Sequence, residues 1–568
     1  MKKKSFYLKI MFGLILFFGI IVRVSFLGEI PTSLYWDEVA ILADAKAITK
    51  TGRDLHNLPW YSLIRPSYGD YKLNVYILFT SLVVKIWGAS QLSARLISCL
   101  AGIGNLILIF FFTKKLLINW KNKTLIALSV MFVLAFSPWN ILFSRTGFEA
   151  HLALFFFNLS LFFVLNLRKN PFIKIFFGVV FAILATYTYY SVRFVWPFIF
   201  VLIIFFNLQK VKKKKRFKEG FFYFLKYLSW PMMIYGLALF IFSCDPFYSQ
   251  FQSMRLGTSS VINSVDPLEI NLLRQQAGNN FVARIFFNFK TTIFFNLLKN
   301  YGENLSFNFL FFNGDPNLRH STGQQGLFLL PFLPLFIIGM ICLARDNLKI
   351  FSLLFFWWLM ALLPASVPNN VPHALRSLNA SFPVAIFIGI GLAQFLIYYK
   401  KLLNFERKQH FCPFKISLVF LYALMIDLSI ISFLYCYFGN YQNYATFAWQ
   451  GGYRQIAERI NQDRKKFDKI NLFSFDDRFF LWLIAFGDLP IEQIQKTVSY
   501  DFRFPQIENI NFDFRAFDVL EKVQNQLVIC VDNQCQKEIE NLISEPKKVE
   551  NLSFDNKISQ LQLQFYYF

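Results

Sequence analysis

The stretch ARLISCLAGIGNLILIFFFT (residues 94–113), which runs directly into Lys114-Lys115, decides the fold. An α-helix needs about 20 apolar residues to cross the hydrocarbon core of a bilayer. The chain is 55% apolar and only 16% charged, whereas soluble domains carry roughly 25% charged residues. The sequence therefore predicts a polytopic α-helical membrane protein with about 11 transmembrane helices. The other ten segments are 6–27, 124–143, 150–167, 172–191, 194–208, 219–243, 326–344, 350–367, 379–399 and 415–437.

Lysines between these segments predict the orientation. Basic residues collect on the cytoplasmic side of membrane proteins, so the run Lys2-Lys3-Lys4 places the N-terminus in the cytoplasm. Lys114 and Lys115 reach the same side only if a shorter apolar segment, 73–88, lies along the outer leaflet and does not cross. We therefore expect a multi-pass protein of the cell membrane, with outer loops 28–93 and 244–325 and an extracytoplasmic C-terminus.

The net charge of +24 does not indicate nucleic-acid binding. The lysines lie between apolar segments and do not alternate with aromatic side chains on one surface, as a single-stranded nucleic-acid site requires. The seven cysteines form no CxxC motif and no Cys/His cluster, which argues against a structural zinc site. We therefore expect membrane lipid as a partner and no nucleic acid.

The composition changes near residue 440. Residues 438–568 contain 18 acidic and 15 basic residues, and helical and strand patterns alternate along them. This predicts two domains, a transmembrane domain over 1–440 and a small extracytoplasmic α/β domain over 441–568. Cys530 and Cys535 would then lie outside the cell, either as a disulfide or as two free thiols.

Asp37-Glu38 follows the first apolar segment, inside the predicted outer loop 28–93. Adjacent carboxylates at a membrane surface suit a general base and a partner group. The alternative is an acidic first turn of a helix, which the helix dipole favours. The aromatic and proline-rich run that continues to Tyr71 resembles a binding loop, so we favour the catalytic interpretation.

Further polar residues gather on the same predicted face, where buried or interfacial charges are functional candidates. Each group also has a structural explanation: an i,i+4 ion pair between Arg145 and Glu149, an interfacial anchor for Arg193, turn formation around Asp315, and a helix-end anchor for Arg376. The functional interpretation assigns them to an anionic lipid head group and its sugar. The candidates are Arg145, Glu149, His151, Arg193, Asp315, Arg319, His320, His373 and Arg376.

This order of motifs resembles the GT-C fold glycosyltransferases. The resemblance is to the protein O-mannosyltransferase-like group (glycosyltransferase family 39) and to the related aminoarabinose transferases. It covers roughly residues 1–450, and its most specific element is Asp37-Glu38 in its loop. The other elements are Thr51-Gly52-Arg53-Asp54, Trp87-Gly88-Ala89-Ser90, SRTGFE (144–149), GDPNLRH (314–320) and PHALRS (372–377).

The resemblance implies an inverting hexosyl- or pentosyltransferase that moves a sugar from a polyprenyl-phosphate donor to a hydroxyl of a protein, lipid or glycan acceptor on the outer face. Asp37 would be the general base, and Glu38 would lie beside it in the acceptor site. Arginines such as Arg145 and Arg376 would stabilise the leaving phosphate, and His320 and His373 would contact phosphate or sugar. Asp37-Glu38 alone make a poor cation site, so no metal ligand is predicted, although a divalent cation is an option.

Two other functions fit a polytopic protein. A transporter or flippase of lipid-linked sugars would show repeated halves and polar residues near the membrane midplane, whereas the polar residues here lie at one face and no internal repeat is visible. A non-catalytic scaffold would leave Asp37-Glu38 and the arginine loops without a task. The sequence therefore favours the transferase.

Overall fold

The computed structural model describes most of the chain, and its secondary structure is mainly helical. The described residues are 2–167, 169–212, 217–257, 260–406, 413–473, 478–497, 506–511, 525–530, 548–553 and 562–567. Cys535 lies outside them, so the two predicted states of Cys530 and Cys535 stay open.

The helices follow the apolar segments of the sequence. In chain order they are α1 (Lys2–Val24), α2 (Trp36–Thr51), α3 (Asn74–Trp87), α4 (Gln91–Leu116), α5 (Lys123–Ala135), α6 (Pro138–Ser144), α7 (Glu149–Val164), α8 (Pro171–Thr188), α9 (Val192–Lys212), α10 (Phe217–Ser243), α11 (Tyr248–Gly257), α12 (Pro267–Gln276), α13 (Phe281–Phe286), α14 (Phe289–Leu305), α15 (Phe332–Asp346), α16 (Leu348–Ser366), α17 (Ser381–Glu406), α18 (Pro413–Tyr435), α19 (Tyr441–Ala445), α20 (Tyr453–Asp463), α21 (Phe480–Phe486) and α22 (Ile491–Thr497).

Seven helices in the described part of the chain are long and apolar enough to cross a membrane, and α5 with α6 makes an eighth span bent by 61°. Every one of the eleven predicted segments contains a helix. Three of these helices are short for a membrane crossing: α7 has 16 residues, the apolar part of α9 is Val192–Asn207, and α15 has 15 residues where 326–344 was predicted. In α15 the difference arises because the helix begins only after Pro331. The helix at 73–88 is the 14-residue α3, which is too short for an untilted crossing.

The structure divides into two compact units. The helical unit comprises Met1–Ser25 and Ser98–Tyr437, and the mixed unit comprises Phe26–Ile97 and Phe438–Phe568. The chain therefore changes unit close to the predicted boundary at 440, and the predicted outer loop 28–93 belongs to the same unit as the tail. Region 244–325, predicted as a loop, contains α11 to α14 and a π-helix at Asn308–Phe312.

Glycines allow the central helices of the helical unit to approach closely. A Cβ atom on Gly339 of α15 would overlap the carbonyl oxygen of Phe387 in α17, and one on Gly391 of α17 would overlap that of Leu335 in α15. Small residues at such crossings let helix backbones pack directly in membranes. The pairing of α15 with α17 therefore depends on these two glycines.

Replacing Gly391 by Ala should destabilise the helical unit by about 1–3 kcal/mol, because the added methyl group forces two packed backbones apart. Thermal unfolding of the protein in detergent measures the effect. Gly236→Ala in α10 is the matched control, since a Cβ there meets no heavy atom within 4 Å. Equal melting temperatures for the two variants would show that this contact does not hold the helices together.

The mixed unit contains a six-stranded sheet in the order β4-β5-β3-β6-β8-β7 and a separate antiparallel pair, β1 with β2. In the central strand, Ile470, Asn471 and Leu472 are all buried, as expected for a strand between two parallel neighbours and covered on both faces. The predicted α/β character of the tail is confirmed. The strands are β1 (Ile64–Pro66), β2 (Tyr71–Leu73), β3 (Lys469–Phe473), β4 (Gln506–Ile507), β5 (Ile510–Asn511), β6 (Gln526–Cys530), β7 (Lys548–Ser553) and β8 (Gln562–Tyr567).

Candidate active site

Asp37 lies in the first turn of α2, and its carboxylate is accessible. The side chain is 40% exposed, and its Oδ1 accepts a hydrogen bond from Lys72 Nζ at 2.7 Å. Lys72 belongs to β2 and is itself only 4% exposed. A buried ammonium group therefore orients a carboxylate that solvent or a substrate can still reach.

Glu38 is adjacent in sequence but fully buried. Its Oε2 accepts from the backbone N–H of Tyr35, which completes a capping box at the start of α2. Its Oε1 lies 3.1 Å from Arg95 Nε in an ion pair of two fully buried side chains. Arg95 also donates to the carbonyl oxygens of Pro31 and Ser33. Glu38 therefore fixes the loop that leads into α2, in contrast to the acceptor contact that the resemblance implies.

The tail of the chain supports α2 directly. Lys46 of α2 donates to the carbonyls of Ile484, Ala485 and Gly487 at the end of α21, at 2.9, 3.2 and 2.5 Å. A cation at this place satisfies the unpaired carbonyls of the last helical turn. The ring of Trp36, next to Asp37, packs 5.9 Å from that of Trp482 in α21. The tail therefore helps to position the helix that carries Asp37.

The segment Thr51-Gly52-Arg53-Asp54 closes α2. Gly52 has the left-handed conformation (φ 74°) that ends many helices. Asp54 forms a fully buried ion pair with Arg65 at 2.6 Å. Burial and the Asp54 carboxylate raise the pKa of neighbouring Asp44 to about 8. Asp54 therefore holds the loop together, and its carboxylate is not accessible to a substrate.

In the helical unit, two residues that were predicted to contact the sugar donor are buried and form hydrogen bonds with the backbone. Arg145 is fully buried and donates through Nη1 to the carbonyls of Val22 and Arg23, at 2.9 and 3.0 Å. His151 is fully buried, with Nδ1 3.3 Å from the carbonyl of Ser98. Glu149 is half-buried in the first turn of α7. Arg145 thus anchors the end of α1, and its hydrogen bonds to carbonyls occupy the group that was predicted to bind phosphate.

Asp315, His320 and His373 come together within the helical unit. His320 Nδ1 lies 3.0 Å from Asp315 Oδ2, and the rings of His320 and His373 are 4.7 Å apart. Burial lowers the pKa of His373 well below its usual value, and His320, Arg376 and Arg319 add to the effect. The structure therefore brings together Asp315 and His320 from one predicted loop and His373 from another.

Arg193 and Arg376 line one apolar cavity of about 260 Å³ in the helical unit. The Arg193 guanidinium lies over the rings of Phe242 and Phe251, at 4.5 and 5.4 Å. Arg376 is partly exposed and makes no hydrogen bond or ion pair within the described residues. The remaining lining is mainly apolar: Tyr190, Phe194, Phe198, Phe251, Gln252, Met360, Leu363, Pro364, Val367 and Pro368.

Sequence reasoning missed Lys72 and Arg95. Lys72 lies in the predicted outer loop 28–93 and Arg95 at the outer end of the predicted segment 94–113, where the positive-inside rule makes basic residues uncommon. That signal could have selected them, but it could not have assigned Lys72 to Asp37 or Arg95 to Glu38. The assignment depends on the pairing of β1 with β2 and on the N-terminal part of α4.

No protein-family model matches this sequence, and none of the curated proteins matches it. Solved structures do match. The chain superposes on the aminoarabinose transferase ArnT from Cupriavidus metallidurans bound to undecaprenyl phosphate with a TM-score of 0.53, 10% identity and 97% coverage of both chains. The apo state of ArnT gives a TM-score of 0.50 at 10% identity, covering 99% of this chain and 98% of that one.

The oligosaccharyltransferase of Archaeoglobus fulgidus, tethered to an acceptor peptide, also matches, with a TM-score of 0.50 and 12% identity. The match covers 85% of this chain but 64% of the oligosaccharyltransferase, so this chain spans less than two thirds of its length. At these identities the comparison shows the fold. This multi-pass membrane protein has the GT-C fold.

Proposed function

We propose that this protein is a membrane glycosyltransferase that moves a sugar from a polyprenyl-phosphate donor to an acceptor hydroxyl on the extracytoplasmic face. The observation that carries the proposal is the apolar cavity with Arg193 and Arg376 in its lining. A polyprenyl phosphate combines a long apolar chain with a compact anionic group. Guanidinium groups bind phosphate through paired, charge-assisted hydrogen bonds, and the aromatic and aliphatic lining suits the isoprenoid chain.

The GT-C fold supports the choice of donor class. ArnT of Cupriavidus metallidurans is described with undecaprenyl phosphate bound, and the superposition covers nearly all of both chains. We propose that this protein binds the same class of ligand, a lipid phosphate. The sugar and the acceptor are left open, because neither the cavity lining nor the fold distinguishes a hexose from a pentose or a protein from a glycan.

Asp37 is the proposed general base. The acceptor oxygen attacks the anomeric carbon as its proton passes to Asp37, and the bond from that carbon to the phosphate oxygen breaks. The electron pair leaves with the phosphate, whose developing charge a guanidinium group would stabilise. Attack from the side opposite the phosphate inverts the anomeric centre. Lys72 orients the Asp37 carboxylate, and Glu38 with Arg95 positions the loop.

The proposal also states the orientation of the chain in the membrane and the roles of its two domains. The N-terminus is cytoplasmic and the C-terminal domain, 441–568, is extracytoplasmic, as the lysine-rich segments indicate. Residues 1–440 carry the transferase chemistry. The α/β tail supports α2 through the contacts of Lys46 and Trp36. Among the sequence candidates, Arg319 stays proposed as a further polar contact, and Arg145, Glu149 and His151 as structural supports.

The cavity is tested by binding of undecaprenyl phosphate to the purified protein in nanodiscs, measured by native mass spectrometry. Replacing both Arg193 and Arg376 by Gln should weaken binding at least about 10-fold, because each charge-assisted hydrogen bond contributes about 1.5–3 kcal/mol. Arg345→Gln is the control, since Arg345 is exposed and paired with Asp346 elsewhere in the same unit. Equal binding by the double variant and the wild type would remove the cavity as the donor site.

A further inference from the structure

The cluster of Asp315, His320 and His373 has the composition of a metal site. Each residue offers one ligand atom, and these atoms lie within 4.8 Å of one another. We propose that the cluster binds one zinc-like divalent cation through the Asp315 carboxylate and the two imidazoles. The proposal is independent of sugar transfer, because it rests only on the ligand geometry of the helical unit.

One pair of the ligand atoms has a spacing close to what zinc requires. Zinc–nitrogen and zinc–oxygen bonds are about 2.0–2.2 Å long, so tetrahedral ligand atoms stand roughly 3.3 Å apart. Asp315 Oδ2 and His320 Nδ1 are separated by 3.0 Å. The Nδ1 atom of His373 is buried and has no hydrogen-bond partner among the described residues. A cation would supply the partner that this nitrogen lacks.

Neighbouring groups hold the three ligands in place. The backbone N–H groups of Asn317 and Ala374 donate to the Asp315 carboxylate, each at 2.8 Å. Rings of Phe143 and Phe148 lie against His320, with centroids 5.9 and 6.2 Å away. Such support around the ligands strongly affects metal affinity in proteins. The cluster is therefore organised before a cation arrives.

The ligand types select the cation. Two imidazoles and one carboxylate suit zinc or a similar transition metal, whereas magnesium and calcium prefer oxygen ligands. Three protein ligands leave a fourth tetrahedral position open, as in catalytic zinc sites. Arg319 and Arg376 act electrostatically on His373, so the carboxylate charge of Asp315 is needed to bind a cation here.

A second cluster, Asp44, Asp54 and His56 of the mixed unit, offers a similar set of atoms but has a guanidinium group directly bonded to one of its carboxylates. Arg65 forms an ion pair with Asp54 at 2.6 Å, and all four side chains are buried. The guanidinium already supplies the positive charge that a metal would bring. This cluster therefore serves as an internal comparison for the first.

The test uses the full-length protein in detergent, with its affinity tag removed and after treatment with a chelator. Titration with zinc chloride, followed by calorimetry, should show one tight site in the wild type. Asp315→Asn and His373→Gln should each weaken zinc binding by more than about 100-fold. Zinc should also raise the melting temperature of the wild type, because a ligand that binds only the folded state stabilises it, and it should not raise that of the two variants.

His56→Gln is the matched control and should bind zinc like the wild type. Cobalt(II) provides a second readout, since its visible spectrum distinguishes nitrogen and oxygen ligands from the thiolate of a cysteine. Absence of a tight site in the wild type would overturn the proposal. Undiminished zinc binding by folded Asp315→Asn and His373→Gln, or a cobalt spectrum with thiolate bands, would overturn it as well.

Discussion

Asp37→Asn should reduce sugar transfer by about 100- to 10,000-fold, which is the usual contribution of a positioned general base. Asparagine has the shape of aspartate, and its side-chain oxygen can still accept the hydrogen bond from Lys72 that Asp37 accepts at 2.7 Å. The variant loses the basic group and keeps its orienting contact. Because the buried Lys72 ammonium loses its counter-ion, we expect a moderately lower melting temperature together with a much larger loss of turnover per folded molecule.

Turnover of Asp37→Asn is measured as polyprenyl phosphate released from a polyprenyl-phosphate sugar in the presence of envelope extract as acceptor. Asp70→Asn is the control. The Asp70 side chain accepts a hydrogen bond from the backbone N–H of Tyr71, and the side-chain oxygen of asparagine can accept the same hydrogen bond. Its turnover should equal that of the wild type. Substantial activity in Asp37→Asn would show that another group removes the acceptor's proton.

Glu38→Gln, one residue further along, should act on stability. Glu38 and Arg95 form an ion pair in which both side chains are fully buried. Removing the negative charge leaves the guanidinium buried without its counter-ion, which costs about 3–5 kcal/mol in other proteins. Glutamine can still complete the capping box at the start of α2. We therefore expect a lower free energy of unfolding and a smaller loss of turnover per folded molecule than in Asp37→Asn.

The comparison between the two carboxylates uses one set of measurements, the melting temperature and turnover per folded molecule of each variant in the same nanodisc preparation. Arg95→Lys tests the geometry of the pair, because lysine keeps the charge but cannot reproduce the fork of a guanidinium. It should also be less stable than the wild type. A Glu38→Gln protein with wild-type stability and no turnover would contradict the division of roles.

The helical segments could be predicted because apolar length is a local property of the sequence. Eleven predicted segments contain helices, and α3 was correctly recognised as too short for a normal crossing. The bend between α5 and α6 was not predicted, although Ser137 and Pro138 mark it. Nor were the helices within 244–325, because their short, mixed patterns do not stand out beside the long apolar segments.

The candidate site could be predicted only in part. Asp37 and Glu38 both carry a carboxylate, so the sequence does not distinguish their roles. The structure does, because the Asp37 carboxylate is accessible whereas that of Glu38 is buried in an ion pair with Arg95. Arg145 looked like a phosphate ligand because its short loop is polar, yet its hydrogen bonds go to carbonyls more than a hundred residues away in sequence. Contacts between residues so distant in sequence are set by helix packing, which a single sequence does not display.

The central claim, transfer of sugar from a polyprenyl-phosphate donor, is tested most directly by incubating the purified wild-type protein with a panel of polyprenyl-phosphate sugars and envelope extract. The account predicts that one donor releases free polyprenyl phosphate and that a sugar appears on a component of the extract. Movement of intact donor across the vesicle membrane, with no release from any donor on the panel, would contradict it and identify a transporter.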